Sequence, residues 1–521
     1  MLSKLFLGIL VSGTPLLSLA SNSISEIRYL CNELTSDSNK ELDGYKITKR
    51  KDQLLIHVHR SCEALEEAVD EGKLDEPSST ALFRDLKYIR DSWIQKFKFD
   101  EGLGIFDIMM MGASHQFSSF FLRYDIPENK KQISEVSPSI FWSLPAGPRE
   151  KEFDRKAAEH GIKNSFEWAV LDQLEVKGSA PKAHIVDINT GSRWLMKWGD
   201  EVSSDPVVSR LFSALGYNTD YPYYSKPGEI KLILGKTENK KKRSVAHFVK
   251  FIYNGYQINL SPFIQSVGRI DRALIEKSRE LAPFKGQYYV SFKSSAIEAR
   301  PKDELRLGGM LSGHPENVNR RELKGAILAL LWLGVWDIKE INTLLSITMN
   351  EKAETKLVGS FSDLGLSMGV KINRFPRDIK ASLVNELPWD FISVEKGKVQ
   401  LNGHVNAILK TYTSANYEDL QWMAGQIAQL DEKILRDCLS YSGWPSYVQE
   451  LYFFKLAERR KQILSVFDIE DAHPITVNRM YSFRDQDRWL AKDGFLIEEP
   501  GDEVYPQGLL HDKGRFRGFG W

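Results

Sequence analysis

Two short motifs in the second half of the chain carry side chains whose types and spacing could do chemistry. Asp337, Lys339 and Asn342 form the pattern Asp-x-Lys-x-x-Asn ahead of a short apolar run, and Asp363 opens Asp-Leu-Gly 21 residues after Asn342. A carboxylate can accept the proton of an attacking hydroxyl, a lysine can neutralise phosphate oxygens, and carboxylate and amide oxygens are ligands that Mg²⁺ takes. Together these types suit the transfer of a phosphoryl group.

The spacing of the two motifs resembles that of the catalytic loop and the metal-binding loop in the protein kinase superfamily. Further segments resemble an atypical bacterial kinase-like group that is distantly related to toxin-type and lipid-type kinases. These segments are Trp194–Tyr217, Asn319–Asn342, Gly443–Pro445 and Lys455–Arg460. The resemblance covers about residues 184 to 470 and leaves the first 160 residues outside it.

The resemblance implies a role for each residue of the two motifs. Asp337 would accept or orient the proton of the substrate, and Lys339 would stabilise the phosphoryl group in transfer. Asn342 and Asp363 would hold magnesium, so the implied cofactors are ATP and Mg²⁺. Gly365 would let the backbone turn tightly beside the ion.

A kinase also needs a strand lysine that grips the nucleotide phosphates and is held by an acid on the next helix. Lys197 lies on an apolar strand, and Asp205 or Glu201 would be its partner. Alternatively, Asp205 only caps a helix that opens at Asp205-Pro206, and Lys197 extends to solvent at a strand edge. Gly191 could cover the phosphates, although it suits an ordinary hairpin turn equally well.

Several positions depart from the kinase pattern. Trp336 replaces the His-Arg pair before Asp337, Leu364 replaces the Phe of Asp-Phe-Gly, and no G-x-G-x-x-G precedes Lys197. An alternative hypothesis is therefore an inactive pseudokinase that serves as an exported binding or scaffold module. A third is an unrelated envelope protein, in which Asp337 and its neighbours merely form turns.

The resemblance and the order of elements predict an α+β fold, a two-lobed protein-kinase-like fold preceded by a helical N-terminal region. We expect a signal peptide at 1–20, a mainly helical region at 21–165, and a small β-rich lobe at 166–300. A larger helical lobe follows at 301–495, and a flexible tail at 496–521. β-branched and aromatic runs predict strands at 184–188, 193–198, 229–234, 245–253 and 287–297. Apolar periodicity predicts helices at 205–216, 270–281, 326–335, 375–386, 417–440 and 446–467.

The first twenty residues have the pattern of a secretory signal peptide. Lys4 precedes an apolar run from Leu5 to Leu19, which a Gly-Thr-Pro break interrupts, and small residues surround a cleavage point near Ala20. The run is too short to span a bilayer, and no later segment is long enough. We therefore expect an exported protein, periplasmic or secreted, without a transmembrane segment after cleavage.

The cysteines and the charge balance bear on compartment and partners. In an oxidising compartment Cys31 and Cys62 could form a disulfide, leaving Cys438, although all three could instead be buried thiols. Lys and Arg total 70, as do Asp and Glu, so no overall basic field draws the chain to nucleic acid. The expected partner is an acceptor, a protein or a small molecule, that the sequence does not identify.

Overall fold

The computed structural model describes residues 27–32, 60–73, 79, 83–84, 86–87, 122–128, 135–175, 181–235, 244–253, 256–301, 303–310, 312–349, 355–373, 378–403, 405–406 and 409–475. Two compact units divide the chain. The first comprises Met1–Phe99, Glu304–Gly308 and Ser346–Leu357, and the second comprises Asp100–Asp303, Gly309–Leu345 and Val358–Trp521. The predicted signal peptide and C-terminal tail lie outside the described residues, and the predicted domain boundaries stay predictions.

Most of the described strands belong to the second unit. In chain order they are β1 (Arg123–Asp125), β2 (Trp168–Glu175), β3 (Lys182–Asp187), β4 (Arg193–Lys197), β5 (Pro222–Ser225), β6 (Lys231–Ile233), β7 (Lys250–Tyr253), β8 (Tyr256–Asn259), β9 (Ile264–Arg269), β10 (Tyr288–Phe292), β11 (Ser295–Arg300), β12 (Glu304–Gly309), β13 (Thr343–Met349), β14 (Thr355–Phe361), β15 (Lys371–Asn373), β16 (Asp378–Lys380), β17 (Ile392–Glu395) and β18 (Lys398–Leu401). Of these, β12 up to Gly308 and parts of β13 and β14 belong to the first unit.

The described helices of the second unit lie mainly toward its C-terminal end. They are α1 (Glu152–Glu159), α2 (Glu201–Ala214), α3 (Val245–Val249), α4 (Arg272–Lys277), α5 (Pro315–Val318), α6 (Arg321–Trp332), α7 (Lys410–Thr413), α8 (Tyr417–Ala428), α9 (Glu432–Ser440) and α10 (Ser446–Phe467). The fold is therefore mixed α+β, as the sequence predicts. No described helix is both long enough and apolar enough to cross a bilayer.

An eight-stranded sheet is the largest element of the second unit. Its strand order is β5-β11-β4-β3-β2-β6-β10-β9, and β2 pairs with β6 in parallel. Alternate residues of β3 and β4 point to one face, where Ala183, Ile185, Trp194 and Met196 join a buried apolar cluster. Lys197, one residue beyond Met196, therefore points to the opposite face.

The helices after the sheet pack around α6, whose residues are nearly all buried. Two buried arginines of α10 bind the carbonyl groups at the ends of other helices. Arg459 Nε donates to Trp332 O at 2.8 Å, and Arg460 Nη2 donates to Ala428 O at 2.8 Å. Because the last carbonyls of a helix have no partner within it, these bonds stabilise the ends of α6 and α8.

The first unit contains helical segments at 27–32 and 60–70. Cys31 and Cys62 form a disulfide between them, with 5.8 Å between the two Cα atoms. Of the two alternatives that the sequence leaves open, the structure has the disulfide rather than three buried thiols. Cys438, in the second unit, is a buried free thiol whose pKa burial raises to about 12.

Four element predictions are wrong in part. The predicted strand at 245–253 is α3 followed by β7, and the predicted helix at 270–281 is the short α4 followed by a 3₁₀ turn at Arg279–Phe284. The region 375–386 contains β16 and a 3₁₀ turn instead of a helix, although residues 374–377 lie outside the described residues. The predicted helix at 205–216 begins four residues earlier, at Glu201, with Asp200 at the N-cap position but without a capping hydrogen bond from its side chain.

Candidate functional site

Lys197 lies at the centre of a buried charged cluster in the second unit. Its Nζ lies 3.0 Å from Asp205 Oδ2, 3.0 Å from Glu298 Oε2 and 2.9 Å from Asp363 Oδ1. Only 2% of Lys197 is exposed, so three carboxylates replace the water that the ammonium group has lost. The cluster therefore joins Lys197 to Asp205 and Asp363, two residues that the sequence predicts as its neighbours.

Strand register and helix geometry bring these acids to Lys197. Ala296 of β11 lies opposite Lys197 of β4, and Glu298 lies two residues further on the same face. Glu201 and Asp205 are one turn apart on α2, so they share a helix face. Asp205 is inside the helix rather than at its cap, so the capping alternative is wrong and its carboxylate is available to Lys197.

The loop after β14 brings Asp363 to the cluster in a strained conformation. Asp363 has φ of 53°, in the left-handed region that non-glycine residues rarely adopt. The Ser362 amide donates to Asn342 O at 2.8 Å, so the two sequence motifs are adjacent through their backbones. Strain of this kind is concentrated at functional sites and persists only where the surroundings enforce it.

Gly365 is required for close packing rather than for the turn that the sequence suggests. A Cβ added at Gly365 would lie 2.6 Å from the Cβ of Glu201, which is closer than real Cβ atoms approach. Ser204 Oγ on the same helix donates to Gly365 O at 2.6 Å. The absence of a side chain at Gly365 therefore lets α2 approach the loop that carries Asp363.

Asp337 is held from several sides in the loop before β13. Lys339 Nζ lies 2.8 Å from both carboxylate oxygens of Asp337, and Asn406 Nδ2 donates to Asp337 Oδ1. Asn342 Nδ2 donates to Asp337 O at 2.7 Å, and the Trp336 amide donates to Leu366 O at 2.8 Å. The loop is thus fixed both internally and to the segment that follows Asp363.

Burial and neighbouring charges separate the pKa values of the acids. The charge of Lys197 holds the pKa of Asp363 well below its ordinary value. Burial raises the pKa of Asp205 to about 6, against the opposing charge of Lys197. Burial, with the charge of Asp363, raises the pKa of Glu201 to about 8. At neutral pH, Asp363 and Asp205 are therefore ionised while Glu201 is mostly protonated.

The two lysines of the site remain charged. Burial lowers the pKa of Lys197, but the charges of Asp205, Asp363 and Glu298 outweigh it and raise that pKa well above its ordinary value. The same competition raises the pKa of Lys339, for which Asp337 is the strongest opposing charge. Both side chains are therefore cations at physiological pH.

The predicted magnesium ligands lie near each other with oxygen atoms available. Asn342 Nδ2 is used by Asp337 O, which leaves Asn342 Oδ1 without a hydrogen bond from any described residue. The side chain of Asp363 is 38% exposed, so part of its carboxylate faces solvent. One amide and one carboxylate oxygen fit a cation that keeps several waters, as Mg²⁺ does. Within the described residues, no three His, Cys, Asp or Glu side chains form a metal-binding group.

Gly191 is not brought to the cluster. It lies in the turn between β3 and β4 with φ of 64°, and its amide donates to Asp187 O at 2.9 Å. The four residue steps from Arg193, which follows this turn, to Lys197 cover roughly 13 Å of strand. Gly191 thus lies at the far end of the β3–β4 hairpin from Lys197, where it forms an ordinary turn.

Two residues that sequence reasoning missed are part of the site. Glu298 is a buried acid within the apolar strand β11, and it also pairs with Arg300. An acid at an otherwise apolar strand position is a signal that could have identified it. Asn406, which binds Asp337, lies in a stretch with no readable motif and 69 residues from its partner.

A scan against protein-family models finds no match for the chain, and a search of the curated proteins finds no similar sequence. The resemblance to kinases therefore depends on the motifs and segments of this sequence alone.

Proposed function

We propose that this chain is an exported kinase-like phosphotransferase that moves the γ-phosphate of ATP to an acceptor hydroxyl on a protein or small molecule. One observation carries the proposal. Lys197 Nζ contacts Asp205 of the following helix at 3.0 Å and Asp363 of Asp-Leu-Gly at 2.9 Å. A strand lysine held by a helix acid beside a metal-binding carboxylate is the arrangement that kinases use for phosphates.

Each residue of the cluster has a task in this proposal. Asn342 Oδ1 and Asp363 would hold Mg²⁺, which would neutralise phosphate charge. Lys197 binds phosphate oxygens, and Asp205 and Glu298 keep its ammonium group charged and oriented. Asp337 orients the acceptor hydroxyl and takes its proton, while Lys339 stabilises the charge on the phosphoryl group.

The proposed architecture is two-lobed. The eight-stranded sheet with α2 corresponds to a small lobe, and α6 with α8 to α10 corresponds to a larger helical lobe. The candidate site takes Lys197 and Asp205 from the first group, and Asp337 and Asp363 from the loops after α6 and β14. That division supports a nucleotide site formed by both groups.

Export is part of the proposal. The signal-peptide pattern of residues 1–20 supports it, and so does the Cys31–Cys62 disulfide, because disulfides persist mainly in oxidising compartments. ATP is not normally available there. The proposed enzyme therefore uses delivered or scavenged nucleotide, or acts inside another compartment or cell.

Calorimetry of the mature chain with ATP and Mg²⁺ tests the proposal. We expect magnesium-dependent ATP binding that Lys197→Ala abolishes, and phosphate transfer that Asp337→Ala abolishes while ATP binding is retained. Lys398→Ala, which breaks a solvent-exposed ion pair with Asp125, is the matched control and should change neither. Absence of nucleotide binding by the folded wild-type chain would refute the proposal.

One observation favours the pseudokinase module as a second candidate. Asp337 is 3% exposed, and Lys339 and Asn406 engage its carboxylate. A carboxylate held in this way does not readily reach a substrate proton. If the chain binds ATP and Asp337→Asn leaves its biological activity intact, the module is favoured over the enzyme.

A further inference from the structure

A second lysine lies beside Lys197 on the same face of the sheet. In the antiparallel pairing of β3 with β4, Lys182 lies directly opposite Lys197. Directly opposed residues have Cβ atoms about 5 Å apart and point to the same side. Two like charges in this position destabilise a sheet, so the pair needs anions nearby.

The two lysines differ in what surrounds them. Lys197 contacts three carboxylates within 3.0 Å. Lys182 is half-buried and forms no ion pair with any residue that the structure describes. Lys182 is thus the lysine of the pair that still has room for an anionic ligand.

Strand pairing places Lys182 on the side of the sheet that carries the cluster. Lys197, directly opposite Lys182, has its Nζ 2.9 Å from Asp363 Oδ1. The side chain of Asp363, a proposed magnesium ligand, is 38% exposed. Lys182 therefore shares a face of the sheet with the partly exposed part of the cluster.

The sequence around Lys182 supports a compensating role. Kinases commonly cover the nucleotide phosphates with the backbone amides of a glycine-rich loop. Here the segment that joins β2 to β3 is Val176-Lys-Gly-Ser-Ala180, with a single glycine, and no G-x-G-x-x-G precedes Lys197. A side-chain ammonium group at the start of β3 can supply the positive charge that such a loop would otherwise provide.

We propose that Lys182 is a second phosphate-binding residue, which makes the site selective for nucleotides with a charged phosphate chain over the free nucleoside. The inference depends on the proposed function. The inference extends the proposed function by assigning a ligand contact to Lys182, a residue outside the two motifs. Lys197, which its acids orient, then binds phosphate oxygens from one position of the pair, and Lys182 binds them from the position opposite.

Calorimetry with Mg-ATP and with adenosine tests the inference. A hydrogen bond to a charged group contributes roughly 10- to 100-fold in affinity. We expect Lys182→Met to weaken Mg-ATP binding by that factor and to leave adenosine binding unchanged. Lys182→Arg keeps the positive charge, so its affinity for Mg-ATP should fall less than that of Lys182→Met. Arg193→Met, at the exposed far end of the same hairpin, is the matched control and should bind like the wild type.

The outcomes separate the two proposals. Wild-type affinity of Lys182→Met for Mg-ATP refutes the role of Lys182 alone. Equal loss of Mg-ATP and adenosine binding also refutes it, because a phosphate contact cannot change nucleoside affinity. A wild-type chain that binds neither ligand refutes the proposed function and this inference together. Thermal unfolding should show Lys182→Met at least as stable as the wild type, because the substitution relieves repulsion from Lys197.

Discussion

Replacing Lys197 by methionine should destabilise the second unit strongly. The substitution keeps a long apolar side chain but removes the cation that contacts Asp205, Glu298 and Asp363. Glu298 retains Arg300, and the carboxylate of Asp363 is partly exposed. Asp205 loses its only ion-pair partner among the described residues while it stays buried. Most of the lost unfolding free energy should therefore arise from the buried, unpaired carboxylate of Asp205.

The magnitude follows from the cost of leaving a buried charge without its partner. Removing one member of a buried ion pair costs about 3–5 kcal/mol of unfolding free energy. The cost should depend on pH. Burial already raises the pKa of Asp205 to about 6, and loss of Lys197 raises it further. A buried acid with a raised folded-state pKa destabilises the fold as pH rises from its unfolded-state pKa to its folded-state pKa. The wild type already loses this stability up to about pH 6, so the deficit of Lys197→Met should grow above about pH 6, toward the higher pKa of Asp205 in the variant.

Urea unfolding at pH 5 and pH 8, followed by tryptophan fluorescence, measures this deficit. Trp194 and Trp198 are buried on either side of Lys197 along the chain and report on its strand. The double variant Lys197→Met/Asp205→Asn should lose less than the sum of the two single variants, by about 1 kcal/mol or more. Lys398→Met, with an exposed partner, should cost at most about 1 kcal/mol. A pH-independent deficit, or strict additivity, would refute the reasoning.

Three further predictions concern other parts of the molecule. Glu201→Gln should lose less stability than the wild type between pH 5 and pH 8 in thermal unfolding, because burial raises the pKa of Glu201 to about 8 and ionisation of this acid destabilises the fold. Gly365→Ala should cost about 1–3 kcal/mol in urea unfolding, since its Cβ would overlap Glu201, whereas Gly425→Ala in α8, with no atom within 4 Å of the new Cβ, should be neutral or stabilising. Reduction of Cys31–Cys62, which closes a loop of 31 residues, should cost the first unit about 4 kcal/mol, as measured by proteolysis with and without reductant. An equal pH response of Glu201→Gln and wild type, equal costs at the two glycines, or unchanged protease resistance would contradict the respective prediction.

The sequence identifies the members of the site that carry local signals. Lys197 is conspicuous because a charged residue interrupts an apolar strand, and Asp363 because Asp-Leu-Gly follows Asp-x-Lys-x-x-Asn at a suitable distance. The contact between them joins residues 166 positions apart. Composition and periodicity contain no information on such a contact, and only the family resemblance suggests it.

The sequence-based predictions are wrong where the same residues fit two different local structures. Asp205-Pro206 has the residue types of a helix start, but the helix begins earlier, at Glu201. Asp205 is therefore an interior residue of the helix and contacts Lys197. Gly191 suits both a phosphate loop and a turn, and strand register decides for the turn, because it separates Gly191 from Lys197 by most of β4. Register and tertiary pairing are long-range properties, which a window of neighbouring residues does not specify.

The enzyme and the binding module differ most at Asp337. Lys339 and Asn406 neutralise and orient this carboxylate, which a binding module could retain as a purely structural contact. In an enzyme the same contacts must change when phosphate arrives, because Lys339 then exchanges the carboxylate for the phosphoryl group and one oxygen of Asp337 becomes available to the acceptor. Asn406 contacts Oδ1 through its amide nitrogen and can hold the carboxylate after Lys339 has left. The arrangement is therefore compatible with catalysis only if nucleotide binding draws Lys339 away from Asp337. The contact between the Lys339 ammonium group and Asp337 thus separates the two hypotheses.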